Sequence, residues 1–136
     1  MDRWQVEFYL LLDGSSPTLA WFREREAKVQ AKFARIFDLL QEHGILVGMP
    51  YVRSLKDSKL FEIRVERNTN IYRIFYFAHT GKRFILLHGF QKKTQKTPKK
   101  ELEVALVRLK LFLVQEQQLT PSTKGKKAKS QELRKQ

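Results

Sequence analysis

Between Leu60 and Phe90 the chain offers three extended runs joined by turns too short to do anything but reverse direction. In Leu60 to Arg67, Phe61, Ile63 and Val65 alternate with Glu62, Arg64 and Glu66, the period of a strand with one buried and one wet face. Asn68-Thr69-Asn70 is a turn signal, and His79-Thr80-Gly81-Lys82 is a second. The runs Ile71 to Ala78 and Arg83 to Phe90 carry apolar residues on both faces, which places them at the centre of a sheet. An antiparallel meander is therefore the fixed point, and the remaining segments must cover it.

Residues 4 to 12 open with Trp4, Val6 and Phe8 alternating with Gln5 and Glu7 and read as a further strand. After the breaker Asp13-Gly14-Ser15, Ser16 suits an N-cap and Pro17 a first helical position. Leu19, Phe22, Ala27, Ala31, Phe33, Ala34, Phe37 and Leu40 keep helical spacing with a slip near residues 23 to 26, giving helices over 17–24 and 26–42. Gly44 fits the helix end, with His43 beside it at the negative pole of the dipole. Residues 45 to 59 read as a connection. A last helix runs from Thr97-Pro98 to about Gln118. Its core stripe is Leu102, Ala105, Leu106, Leu109, Phe112 and Leu113. A second stripe, Val104, Val107, Leu111 and Val114, implies deep burial or a partner. The order strand, helix, helix, three strands, helix predicts an α+β fold with helices on a mostly antiparallel sheet. At 136 residues the chain suits one domain, residues 1–118, followed by a Lys-rich segment 119–136 that reads as disordered.

Composition narrows the chemistry. There is no cysteine, which excludes disulfides, thiol nucleophiles and thiolate metal sites. No apolar run approaches a membrane span and no signal pattern opens the chain, so a soluble cytoplasmic protein is expected. No Gly-rich phosphate loop or nucleophile elbow is present, and the carboxylates do not converge as a metal-dependent nuclease would need, so no metal or cofactor is expected. Net charge is +13; residues 1–116 alone keep +8. That balance suits a polyanion partner. Arg73 lies mid-strand in an apolar run and must either pair, with Glu62 or Glu66 across the hairpin, or face an anion. Arg64 belongs to the polar face of its strand. Lys92 to Lys100 is a basic loop with five lysines and no acid.

Three stretches resemble one family. Leu55-Lys56-Asp57-Ser58-Lys59-Leu60-Phe61-Glu62-Ile63-Arg64, Tyr72-Arg73-Ile74-Phe75-Tyr76, and Leu86-Leu87-His88-Gly89-Phe90-Gln91-Lys92-Lys93-Thr94-Gln95-Lys96-Thr97-Pro98 resemble, in order, motifs of the phage-derived branch of the RelE/HigB superfamily. These are toxins of type II toxin–antitoxin systems. The first stretch is one residue longer than the usual pattern at Ser58-Lys59. The resemblance spans about residues 3 to 114. It implies a RelE/ParE-like fold: two N-terminal helices and a C-terminal helix about a curved sheet. It also implies a metal-independent mRNA endoribonuclease acting in the ribosome, in which the substrate 2′-hydroxyl attacks its own phosphate to leave a 2′,3′-cyclic phosphate.

By motif position the catalytic set would be Lys56, Arg64, Arg73, Lys92, Lys93 and His88. A lysine crowded by cations would serve as base, Arg73 would clamp the phosphate, and Lys92 or Lys93 would meet the leaving oxygen. Lys82, Arg83, Lys96, Lys99 and Lys100 would bind RNA and the 70S ribosome. The partner would be a cognate antitoxin, of helix-turn-helix type, with Val104, Val107, Leu111 and Val114 as its interface. Two other classes remain open: a same-fold inhibitor of DNA gyrase, and a non-catalytic RNA- or ribosome-binding module.

Overall fold

The structure is a computed structural model that describes residues 3–92 and 98–119. Lys93, Lys96 and the basic segment expected to be disordered lie outside the described residues, apart from Leu119, which ends the last helix. The elements are β1 (Gln5–Phe8), α1 (Pro17–Arg23), α2 (Ala27–His43), a 3₁₀ turn (Gly44–Leu46), β2 (Val52–Ser54), β3 (Phe61–Arg67), β4 (Asn70–His79), β5 (Arg83–Lys92) and α3 (Lys99–Leu119). The five strands form one sheet in the order β1-β5-β4-β3-β2. The meander is antiparallel as its alternation required, and the doubly apolar β4 and β5 are interior. β1 lies parallel to β5 at one edge. At the other edge is β2, within the segment that the sequence left as a connection. Backbone contacts divide the chain into two units, Met1–Ala105 and Leu106–Gln136.

The helix ends follow local chemistry. Ser16 Oγ accepts from Leu19 N at 3.1 Å, capping α1, and Pro17 fills the first turn where its missing N–H is not needed. Gly44 closes α2 with φ of 59°, and its N–H donates to the Leu40 carbonyl. Trp4 packs so close to it that a Cβ there would meet the indole Nε1 at 2.3 Å. α2 buries Val29, Phe33, Ile36 and Leu40, the i, i+4, i+7, i+11 stripe, against Ile63, Val65, Tyr72, Ile74, Tyr76, Phe84 and Leu86. Trp21, Phe22, Phe33 and Phe37 link into an aromatic network with Phe8, at centroid distances of 5.8–6.2 Å.

α1 is held to β5 at an irregularity. Phe75 pairs with His88 but Tyr76 pairs with Leu86, so Leu87 is an extra residue in the β5 ladder. The buried Thr18 Oγ1 donates to the Leu87 carbonyl at 2.9 Å. Two residues on, Gly89 receives the Trp21 ring: a Cβ at Gly89 would meet Trp21 Cε3 at 2.3 Å. The glycine is needed for that approach. Gly89→Ala should lower stability by ~1–3 kcal/mol through overpacking, read as a fall in the urea midpoint; an unchanged midpoint would show that Trp21 is not seated there.

Candidate active site: a cationic cleft on the open face

Strand periodicity divides the sheet. Phe61, Ile63, Val65, Tyr72, Ile74 and Tyr76 face the helices. The register puts Arg53, Glu62, Arg64, Arg73, Phe75, His88, Phe90 and Lys92 on the opposite face. Arg64 and Arg73 are direct cross-strand partners. Two like charges facing each other across a ladder repel unless something compensates. Glu62 does so for Arg73 and Glu66 for Arg64. The Glu62 side chain is fully buried, and its Oε1 accepts from Arg73 Nη1 and, at 2.9 Å, from Arg53 Nε. The ion-pair alternative for Arg73 is therefore what forms, and it does not exhaust the residue. Arg73 Nε is buried without a partner, as are Glu62 Oε2 and Lys92 Nζ. Three orphaned polar atoms in one region are costly, and of the two donors only that of Arg73 belongs to a residue that lines the adjoining cleft. Arg64 also pairs with Glu66 at the exposed rim, where such a pair contributes little.

Beside this group lies a cleft of about 200 Å³, lined by Met49, Pro50, Tyr51 and Val52 together with Arg53, Glu62, Arg64 and Arg73. Lys92 does not line it. Lys92 is buried behind Arg73, and burial first, then the Arg73 charge, push its ammonium below the ordinary value, with Glu62 opposing. Arg73 is shifted down as well, by burial first and against the pull of Glu62.

The other residues singled out in the sequence divide by position. Lys56 sits in the exposed β2–β3 turn, which Ser58 closes by donating to the Leu55 carbonyl, and it does not line the cleft. His88 is on the open face, but its Nε2 is 2.6 Å from Glu101 Oε1, a tie to the first turn of α3. Lys82 and Arg83 do not join the cluster. They stand at the far end of β5, about 30 Å from Lys92 at ~3.3 Å per residue, and Arg83 makes a two-pronged pair with Glu7 at 2.8 Å. Lys99 and Lys100 are exposed at the start of α3. Within α3, Val104 is half-buried while Val107, Leu111 and Val114 are 58%, 47% and 48% exposed; Leu106, assigned to the core stripe, is also exposed. Sequence reasoning missed Arg53 and Tyr51, which the three-residue β2 brings to the cleft. The signal available was the charge of Arg53 two positions from an aromatic.

Among the described residues, no group of three metal-ligating side chains could hold a metal ion, and no helix is long and apolar enough to cross a membrane. A family model described as phage-derived protein Gp49-like (DUF891) matches residues 20–110. The chain belongs to this Gp49-like family. The match takes in Glu62, Arg64, Arg73 and Lys92, so the cationic cleft lies inside the family region. No curated protein matches the chain.

The buried ammonium gives a signed prediction. A lysine whose folded value is depressed opposes folding at any pH below that value, and the penalty disappears as pH rises from there towards its ordinary 10.5. Lys92→Met should therefore be more stable than the parent at pH 7, on the order of 1 kcal/mol, with the gap narrowing as the pH approaches 10.5. Urea midpoints at the two pH values test it; a variant less stable at pH 7 would mean that attraction to Glu62 outweighs burial.

Proposed function

We propose that this Gp49-like protein is the toxin of a type II toxin–antitoxin pair of the RelE/HigB kind, cleaving mRNA on the ribosome without a metal. The observation that carries the reading is the Arg64–Arg73 pair: two arginines directly opposite each other on neighbouring strands, both lining the cleft, with Arg73 held by the buried Glu62 and one of its donors left unpartnered. A phosphodiester is the natural anion for that arrangement, because a planar guanidinium can bridge two phosphoryl oxygens. The 2′-oxygen attacks phosphorus, the bond to the 5′-oxygen breaks, and charge grows on the non-bridging oxygens between Arg64 and Arg73. Fixed donors aimed at developing charge are the strongest single contribution such a site can make. Lys92, behind the cleft, raises the potential under the phosphate without touching it. The Glu62 carboxylate is fully buried and taken up by Arg73 and Arg53, so in this reading the 2′-proton passes to water at the cleft mouth and the leaving 5′-oxygen takes its proton from water.

The test is cleavage by the full chain in a translating ribosome reaction containing chelator, with product ends mapped. Cyclic phosphate and 5′-hydroxyl ends are expected. Arg73→Ala would leave Glu62 short of a partner and could cost ~3–5 kcal/mol of stability, so Arg73→Lys is the cleaner probe. It keeps the charge and loses the fork, and should slow cleavage about 100-fold or more with the fold retained. Near-parental cleavage by folded Arg73→Lys would overturn the site. Supercoiling inhibition without RNA cleavage would replace the reading with that of a gyrase inhibitor.

The partner in this reading is a helix-turn-helix antitoxin, docked on the exposed Val107, Leu111 and Val114 stripe. Val107→Asp with Leu111→Lys should abolish co-purification with that antitoxin while sparing cleavage. Retained binding would move the docking site to the cationic face.

A further inference from the structure

The cleft lining is of two chemical kinds. Beside the cationic residues stand Met49, Pro50 and Tyr51. These side chains are not there to fill a core: Met49 is 75% and Tyr51 37% exposed. The contrast with the other tyrosines is sharp. Tyr9 is 1% exposed, and Tyr72 and Tyr76 are buried with ring neighbours in the helix-side core. The Tyr51 ring stacks on no other ring among the described residues, and neither β2 nor the sheet requires an aromatic there.

The backbone nevertheless holds these residues in place. Tyr51 N and Val52 N both donate to the Gly48 carbonyl, at 3.0 and 3.1 Å, closing the turn that carries Met49 and Pro50. The Tyr51 carbonyl accepts from Arg64 N at 3.1 Å. That bond fixes the Tyr51 backbone directly beside Arg64 at the sheet edge, next to the start of β2. An exposed aromatic and a thioether thus sit on a rigid turn one strand away from two phosphate-gripping guanidiniums.

We propose that Met49 and Tyr51 form a base-stacking subsite, which receives the nucleobase of a single-stranded RNA residue whose phosphate lies on Arg64 and Arg73. The inference rests on the phosphodiester reading of the cleft and extends it to the way the strand is seated. A phosphate alone would leave the apolar lining wet and the RNA free to rotate about its contact. A base laid against Tyr51 removes apolar surface from water on both partners and fixes the nucleotide relative to the guanidiniums. Stacking on an aromatic accepts any base, since every base has a π-face. The subsite therefore supplies affinity and orientation rather than a strict sequence code. Charge complementarity selects nucleic acid over an apolar peptide as the occupant: the same cleft is lined by Arg53, Arg64 and Arg73, with Glu62 as the one lining carboxylate among the described residues.

The test uses the purified full chain and a dinucleotide whose first sugar is 2′-deoxyribose, so that it cannot be cleaved by its own hydroxyl. The comparator is the same molecule lacking the first base. The parent should bind the complete dinucleotide about tenfold more tightly than the abasic one. Tyr51→Phe should keep that ratio, and Tyr51→Ala should bring it to one while leaving abasic binding unchanged. Equal binding of both molecules by the parent, or a ratio that survives in Tyr51→Ala, overturns the stacking subsite and leaves the phosphate site standing. Failure of both molecules to bind overturns the phosphodiester reading itself, and the subsite with it.

Discussion

Glu62 is the residue on which the open face depends. A carboxylate with no exposure is tolerated only when its charge is matched, and here two guanidiniums from two different strands match it. In return the carboxylate makes it possible to keep Arg73 in the middle of a buried strand, directly across from Arg64. Arg64 in turn pairs with Glu66, so each member of this like-charged cross-strand pair has its own carboxylate. The compensation is deliberately incomplete in chemical terms: the described cluster holds Arg53, Arg64, Arg73 and Lys92 against Glu62 and the rim residue Glu66. The excess of positive charge is what an anionic ligand would neutralise. Lys92 shows the cost most clearly, because its buried ammonium has no hydrogen-bond partner to offset its desolvation.

How much of this could be read from the residues follows from the range of the interaction involved. Local periodicity was sufficient for β3, β4 and β5, because alternation and short turns are statements about neighbours in sequence. Ser16 and Gly44 likewise marked helix ends that depend on hydrogen bonds three or four residues away. The pairing of Arg73 with Glu62 was accessible as one of two outcomes, since the hairpin limits what can lie opposite a mid-strand arginine. By contrast, β1 joins β5 in parallel across most of the chain, and nothing in Gln5–Phe8 specifies that neighbour. β2 has three residues and no alternation to display, so Tyr51 and Arg53 passed as part of a loop. Their place in the cleft lining exists only once β3 has been laid beside them.

Charge was the least reliable guide to place. Lys82 and Arg83 share the sign and the sheet of the cleft residues, yet they sit at the opposite end of β5, where Arg83 holds the edge strand through Glu7. His88 was attached to the site by motif position and is on the correct face, but it spends a ring nitrogen on Glu101. Basic composition thus gives no position, whereas the cluster is defined by which cations the register brings to one face.

The sharing of a face is itself set by one extra residue. Counting back from the β4–β5 turn, the ladder runs His79 with Arg83, Ala78 with Phe84, Phe77 with Ile85 and Tyr76 with Leu86. Continued without interruption, that register would place His88, Phe90 and Lys92 on the side of Tyr72 and Ile74, against the helices. A strand shifted by one residue turns every later side chain to the other face. The bulge at Leu87 makes that shift, so Phe90 lies across from Arg73 and Lys92 across from Ile71, on the open side. The extra residue leaves the Leu87 carbonyl to be satisfied from outside the ladder, and Thr18 of α1 supplies the donor. The same shift turns Gly89 toward α1, where only a hydrogen in place of a side chain admits Trp21. A hydroxyl on the first helix and a glycine on the last strand thereby hold the register that delivers the fourth cation to the cluster, although neither residue touches the cleft.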